Sequence, residues 1–452
     1  MLLFFVPPLL LTFFVSSHPL YVFDTDDWHY LQDTRFGSAW PVWKLWNPTK
    51  VFPEIFMPIV ASLSTFILSP LYEHDYLQSL SVGFAITLTL SIVICAYFLG
   101  KFLKKRFCLN ELANLFLVAF FIVLFFCPLY KTGFFHVNNS TDIRYFYLLN
   151  SNDITCVFNY IIPAFINGAI IFYLITRDFH NGNINAYDRQ VSNYVAVDKY
   201  LAFSLLVIFI YFGLNSNLFQ GIMLASYGSS CIILSLVFNW FYKGEKRLTL
   251  LKQSLKDNYL YILILIFWCI VLVYEANGER ASVSGNGNSL LDLNLKKAFN
   301  TFKFQFKLLN LIFELFLILN LLTVFYSVYR FIRIKSQTGY QNFKNSEDFQ
   351  YWCLSIKFLL SFIVTSFFLI MLCAKVDINY LHRTDVFISC MFFSIGYTVI
   401  TIAYLCKKFR PLFAVVFLMV VIVFSYTLCY PIKSKDSTYA NFSIRTVKKD
   451  RG

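Results

Sequence analysis

The stretch Leu80–Gly100, LSVGFAITLTLSIVICAYFLG, carries no charged residue and is followed by Lys101, Lys104, Lys105 and Arg106. A run of about 20 apolar residues is what an α-helix needs to cross the hydrocarbon core of a bilayer. A basic cluster directly after such a run is the usual signal of a cytoplasmic loop. Further runs lie at about 2–22, 109–129, 156–176, 200–214, 219–241, 258–274, 308–329, 351–374, 385–406 and 412–430. With 80–100 they predict an all-α, polytopic integral membrane protein of about 11 transmembrane helices, one membrane domain over 1–452. Composition agrees: the chain is 58% hydrophobic and only 14% charged, where soluble domains carry roughly a quarter.

The net charge of +13 does not imply nucleic acid, because much of it sits in short clusters beside the apolar runs. Loops 101–107, 177–199, 242–257, 330–350 and 407–411 carry more Lys and Arg, in less chain, than the alternate loops. This places the first set in the cytoplasm and loops 23–79 and 275–307 outside. The tail from about Pro431, with six more Lys and Arg, is discordant. The cysteines fall almost wholly within apolar runs and contain no CxxC pair, so they read as core residues. Met1–Val15 lacks the flanks of a cleaved signal peptide and reads as an uncleaved first helix.

Two segments need separate treatment. Residues 55–72 are apolar but short and interrupted by prolines (Pro53, Pro58 and Pro70 in and beside them), and a crossing there would put Lys101–Arg106 outside. They read as a helix lying in the outer interface or re-entering it, with a crossing as the alternative. Leu290–Lys307 mixes apolar residues with Lys296, Lys297, Lys303 and Lys307. It fits a basic interfacial helix near lipid phosphates, or extended chain through Phe302-Lys-Phe-Gln-Phe-Lys307.

The chemistry concentrates after the first run, in Asp24-Thr-Asp26-Asp27-Trp28-His29. Each carboxylate would cost roughly 2.5–3.5 kcal/mol at a bilayer centre, so all three belong to water or a polar cavity at the membrane face. Asp26 and Asp27 are candidate acid–base groups, one taking a proton from a hydroxyl while the other orients it; the alternative is a helix cap or topology flank. Asp24 and His29 are candidate substrate contacts. Trp28, Trp40, Trp43 and Trp46 suit either sugar stacking or an interfacial belt. Glu54, in Trp46-Asn-Pro-Thr-Lys-Val-Phe-Pro-Glu54, is a third candidate acid, or an ordinary helix-start carboxylate. Arg280 and Arg383, with His382, are candidates for a phosphate, the alternative being ion pairs with Glu279 and Asp385. Glu314, about two turns into its span, is a candidate by virtue of intramembrane charge, whereas Lys357 can snorkel. Walker A, HExxH and GxSxG motifs are absent, and the histidine spacing fits no metal motif. No cofactor is expected, although a divalent cation on Asp26 or Asp27 stays open.

An uncleaved first span followed by an outward Asp-Asp loop resembles the GT-C superfamily of polytopic glycosyltransferases. The length, the Phe/Tyr/Asn-rich composition and the two quoted motifs resemble, more narrowly, the serotype-converting O-antigen glucosyltransferases of enteric bacteria and their prophages. The resemblance implies transfer of glucose from undecaprenyl-phosphate glucose to the O-antigen repeat of lipopolysaccharide, on the periplasmic face of the inner membrane. It implies an acid in the first outer loop, carried over only to Asp26 and Asp27. A small flippase and a separate enzyme that charges the lipid carrier are its implied partners. An O-antigen polymerase and a lipid-linked-saccharide flippase or transporter are the competing readings.

Overall fold

The computed structural model describes residues 2–22, 27–28, 31, 39–40, 46–130, 147–182, 196–241, 252, 254–277, 294–337 and 347–408. The described residues are 87% helical, and no strand occurs among them. Helix α1 is Leu2–Thr12, continued by a π turn Phe13–Ser17. Helix α2 is Val51–Tyr72, α3 is Tyr76–Phe107 and α4 is Glu111–Phe126. Helix α5 begins at Ile154, passes a π turn Val157–Ile161 and continues as Ile162–Gly182. Then come α6 (Ala196–Leu214), α7 (Leu218–Phe241), α8 (Tyr259–Asn277), α9 (Leu295–Leu308), α10 (Leu311–Gln337), α11 (Glu347–Lys375) and α12 (Thr384–Lys408).

Polar residues set where these helices start. Asp75 caps α3 by accepting from the Gln78 amide (3.0 Å), and Asn110 caps α4 through the Ala113 amide (2.8 Å). Among the described residues, seven helices are long and apolar enough to cross a membrane: α2, α3, α5, α7, α10, α11 and α12. Their outward faces are apolar too: Leu315, Ile318, Leu322 and Phe325 on α10 are all exposed. Water would penalise such a stripe, whereas lipid tails match it, so the chain is a membrane protein.

Helix α12 occupies the middle of the bundle, with every residue from Thr384 to Tyr404 buried. A helix that is apolar on all sides belongs there. Helices α3 and α5 run parallel in contact with it, since Phe84 meets Phe158 (5.2 Å between ring centroids) and Phe98 meets Tyr173 (5.6 Å). Small residues allow this closeness. A Cβ on Gly168 of α5 would lie 2.2 Å from Phe392 Cζ of α12 and 3.1 Å from Cys95 Sγ of α3.

Several expectations change. The segment read as 55–72 is one helical rod from Val51, apolar and long enough to cross by length and composition. Its contacts nevertheless run across α3 rather than along it. Phe52 reaches the level of Phe84 through Phe158, and Ser64, three turns on, packs against Gly83. Glu314 lies in the first turn of α10, after Asn310, not two turns inside a span. The 294–308 segment is helical, not extended, because burying Ala298, Phe302, Gln305 and Leu308 on one face follows the helical period. The expected span 412–430 lies outside the described residues.

Lys357 of α11 does not snorkel freely. It is half-buried beside Cys231 of α7 and near Asp178 of α5. Asp178 also receives Arg177 (3.1 Å) and the Tyr261 hydroxyl of α8, so this cluster links α5 to α8 directly and, through Lys357 and Cys231, to α11 and α7. Asp178→Ala would leave two cations without their shared counter-charge. A fully buried pair broken this way costs about 3–5 kcal/mol; the partial exposure of Asp178 reduces the expected loss to about 1–2 kcal/mol. Thermal unfolding in detergent checks it.

Candidate functional site

At the end of the bundle opposite Asp178, the first loop is stitched to the start of α5. The Tyr21 amide donates to Asn152 O (2.9 Å) and the Ile154 amide donates to Tyr21 O (3.2 Å). This short parallel bridge brings Asp27 onto the first turn of α5. Asp27 is fully buried, and its Oδ1 accepts the Thr155 amide at 2.8 Å. Asp153, the N-cap of α5, accepts the same amide at 2.7 Å and the Cys156 amide at 3.2 Å. Two carboxylates thus converge on one N–H group and hydrogen-bond to each other. Burial first, then the bond and charge of Asp27, raises the Asp153 carboxyl to about 7. Two bonds from Cys156 oppose the shift. Like charges this close disfavour double ionisation, so Asp153 keeps its proton up to about pH 7.

A chain of polar contacts continues from this pair. The Cys156 thiol donates to Asp153 Oδ2 (3.3 Å), and Arg383 Nη2 donates to Cys156 Sγ (3.0 Å). Arg383 forks onto Asp385, with Nε to Oδ1 at 3.1 Å and Nη2 to Oδ2 at 2.6 Å. Its guanidinium lies 4.7 Å from the Tyr160 ring centroid and 5.4 Å from that of Tyr380. Burial works against its charge, but the bonded Asp385 outweighs it and the pKa is raised. Of the two readings of Arg383, the ion pair with Asp385 is the one the geometry contains.

His382 faces a different partner. Gln305 Nε2 of α9 lies 2.6 Å from its Nδ1, so the amide donates and the neutral ring carries its own proton on Nε2. Burial lowers the His382 pKa. The ring lines an open cavity of about 410 Å³ with Asn294, Lys296, Lys297, Asn300, Thr301 and Phe304. His18, at the same end, is buried and held neutral by desolvation, with a pKa lowered to about 4; its Nδ1 meets the Tyr147 hydroxyl (2.8 Å).

The remaining predicted residues divide clearly. Trp28, adjacent to Asp27, is 46% exposed and open for stacking; Trp40 is 54% exposed and lies against Tyr211. Trp46 is buried against Tyr274 (4.8 Å), a packing role. Glu54 is buried in the first turn of α2, where Asn47 Nδ2 donates to its Oε1 (3.0 Å). The neighbouring Thr49 hydroxyl donates to Glu275 Oε1 of α8 (2.9 Å), so this cluster ties the loop return to α8. Asp24, Asp26, His29, Trp43 and Arg280 lie outside the described residues.

Sequence reasoning paired Asp27 with Asp26 and missed Asp153. The only sequence signal for Asp153 is an Asp before an apolar run, which marks a helix cap and nothing more. Lys296 and Lys297 were legible as interfacial charge but not as neighbours of His382. Compared with protein-family models, curated proteins and solved structures, the chain matches none of them.

Proposed function

We propose that the chain is an inner-membrane glycosyltransferase of the GT-C type. It moves a glucosyl or other hexosyl group from an undecaprenyl-phosphate sugar donor to the O-antigen repeat of lipopolysaccharide, on the periplasmic face of a bacterial inner membrane. In this architecture α1, α3 to α8 and α10 to α12 span, and α2 lies in the outer interface. A small flippase and a donor-synthesising glucosyltransferase act upstream.

The observation that carries this reading is the Asp27–Asp153 pair, with Asp27 buried and Asp153 raised to about 7. A carboxyl raised to about 7 is half deprotonated near neutrality, and in that form it can accept the proton of an incoming hydroxyl. The acceptor oxygen forms its bond to the sugar carbon as the carbon–phosphate oxygen bond breaks. The lipid phosphate leaves with the electron pair, and the hydroxyl proton passes to the carboxylate pair. Trp28 offers an exposed face for a sugar ring beside Asp27. An apolar cavity of about 450 Å³ between α2, α3, α5 and α6, lined by Phe52, Phe56, Leu90, Phe98 and Phe209, has the chemistry for a polyprenyl tail.

Mass spectrometry of the O-chain from a host expressing this chain with its lipid-glucose supply tests the proposal. One added hexose per repeat is expected with the wild type and none with Asp27→Asn at equal membrane expression. An unchanged repeat mass with altered chain length would establish the polymerase reading instead. The flippase or transporter reading draws on one observation, the Arg177–Asp178–Lys357 cluster inside the bundle. It gains if O-chains are unmodified and Asp178→Asn blocks movement of a labelled lipid-linked saccharide.

A further inference from the structure

We propose that the cleft between α9 and His382 is a phosphate-binding site for a membrane lipid, with Lys296 and Lys297 as its cations. Both lysines line the same 410 Å³ cavity, together with His382, Asn294, Asn300 and Thr301; none of the described residues that line it is acidic. Two ammonium groups held beside one cavity repel each other, and an anion between them removes that cost. The neutral donors complete an oxyanion environment. Asn300 and Thr301 supply side-chain donors, and His382 presents Nε2–H because its Nδ1 accepts from Gln305. The cavity is also lined by the N-terminal half of α9, where the helix dipole favours negative charge.

The helix itself indicates that the phosphate belongs to a lipid. Helix α9 buries Ala298, Phe302, Gln305 and Leu308 against the protein but leaves Leu295, Phe299 and Phe304 exposed among its lysines. Exposed apolar side chains interleaved with lysines suit the boundary between headgroups and tails. Phe304 lines the cavity too, giving an alkyl chain a surface to follow. Arg383 does not take this place, because it is forked onto Asp385. His382 directly precedes Arg383, whose contact with Cys156 leads to Asp153. A phosphate in the cleft is therefore linked by a short chain of contacts to the carboxylate pair. That the phosphate is the departing group of a sugar donor rests on the proposed function; the anion site itself does not.

The test uses the full chain in phosphatidylcholine nanodiscs and equilibrium binding of radiolabelled decyl phosphate. Saturable binding is expected, weakened at least about tenfold in Lys296→Ala/Lys297→Ala and unchanged in Lys303→Ala/Lys307→Ala, which removes as much charge from the same helix outside the cleft. Unlabelled decyl phosphate should compete, while inorganic phosphate and decanol should not. Wild-type binding by the first double variant, or an equal loss in the second, overturns the site. Equal competition by inorganic phosphate overturns the lipid assignment. Lysine-dependent binding in a protein that transfers no hexose leaves the site standing and removes the proposed function.

Discussion

Asp153→Asn is expected to slow hexosyl transfer by about 10²–10⁴-fold while leaving the fold in place. Asparagine caps a helix about as well as aspartate and retains an oxygen for the Thr155 amide, now accepted at 2.7 Å. What it removes is the second ionisable oxygen pair beside Asp27. Loss of a positioned acid–base group costs on the order of 10²–10⁴-fold in rate. The stability signature separates chemistry from scaffolding. Because burial and Asp27 raise Asp153 from 3.8 to about 7, the folded chain holds this proton more tightly than the unfolded chain between those values. Its contribution to stability is fully present below about pH 4 and is lost as pH rises through about 7. Wild-type melting temperature should therefore fall from about pH 5 to about pH 8, and the fall should flatten in Asp153→Asn. A variant that is inactive and equally destabilised at every pH would show Asp153 to be a cap alone.

Gly168→Val is expected to have the largest effect on stability. Its first added carbon would sit 2.2 Å from Phe392 Cζ, and Phe392 is itself enclosed by Phe121, Phe125 and Phe172. Overpacking typically costs about 1–3 kcal/mol, and a ring fixed on several sides places this site at or above the upper end. Gly228→Ala is the control, since its nearest neighbour would be Tyr261 O at 3.5 Å, an ordinary contact. Thermal unfolding in detergent should show a marked loss for the first and little change for the second. Equal stability of the two variants would contradict the packing of α3, α5 and α12.

The membrane helices were legible because burial in lipid leaves a long, charge-free run wherever it occurs. The uncharged Leu80–Gly100 became the core of α3, although the helix extends from Tyr76 to Phe107. Helix α2 was harder to read. Its prolines argued for an interrupted segment, yet Pro53 lies in the first turn, where no amide partner is lost, and the π turn absorbs the change after Leu63. The site was half legible. Asp27 stood out because a carboxylate after an apolar run demands a polar home. Asp153 did not, because its partner is brought to it by the Tyr21 bridge, a contact that no local pattern announces. Arg383 shows the same limit from the other side: its charge was visible, but its commitment to Asp385 depends on how the turn before α12 closes.

The measurement that tests the account most directly is the pH–rate profile of hexosyl transfer by the purified chain, from about pH 5 to about pH 9, with wild type and Asp153→Asn side by side. The wild-type rate is expected to rise through an apparent pKa near 7, the value to which Asp153 is raised, and the variant to keep a residual rate without that rise. A wild-type profile flat across neutrality, or a variant that transfers with the same profile, would contradict the role of the Asp27–Asp153 pair.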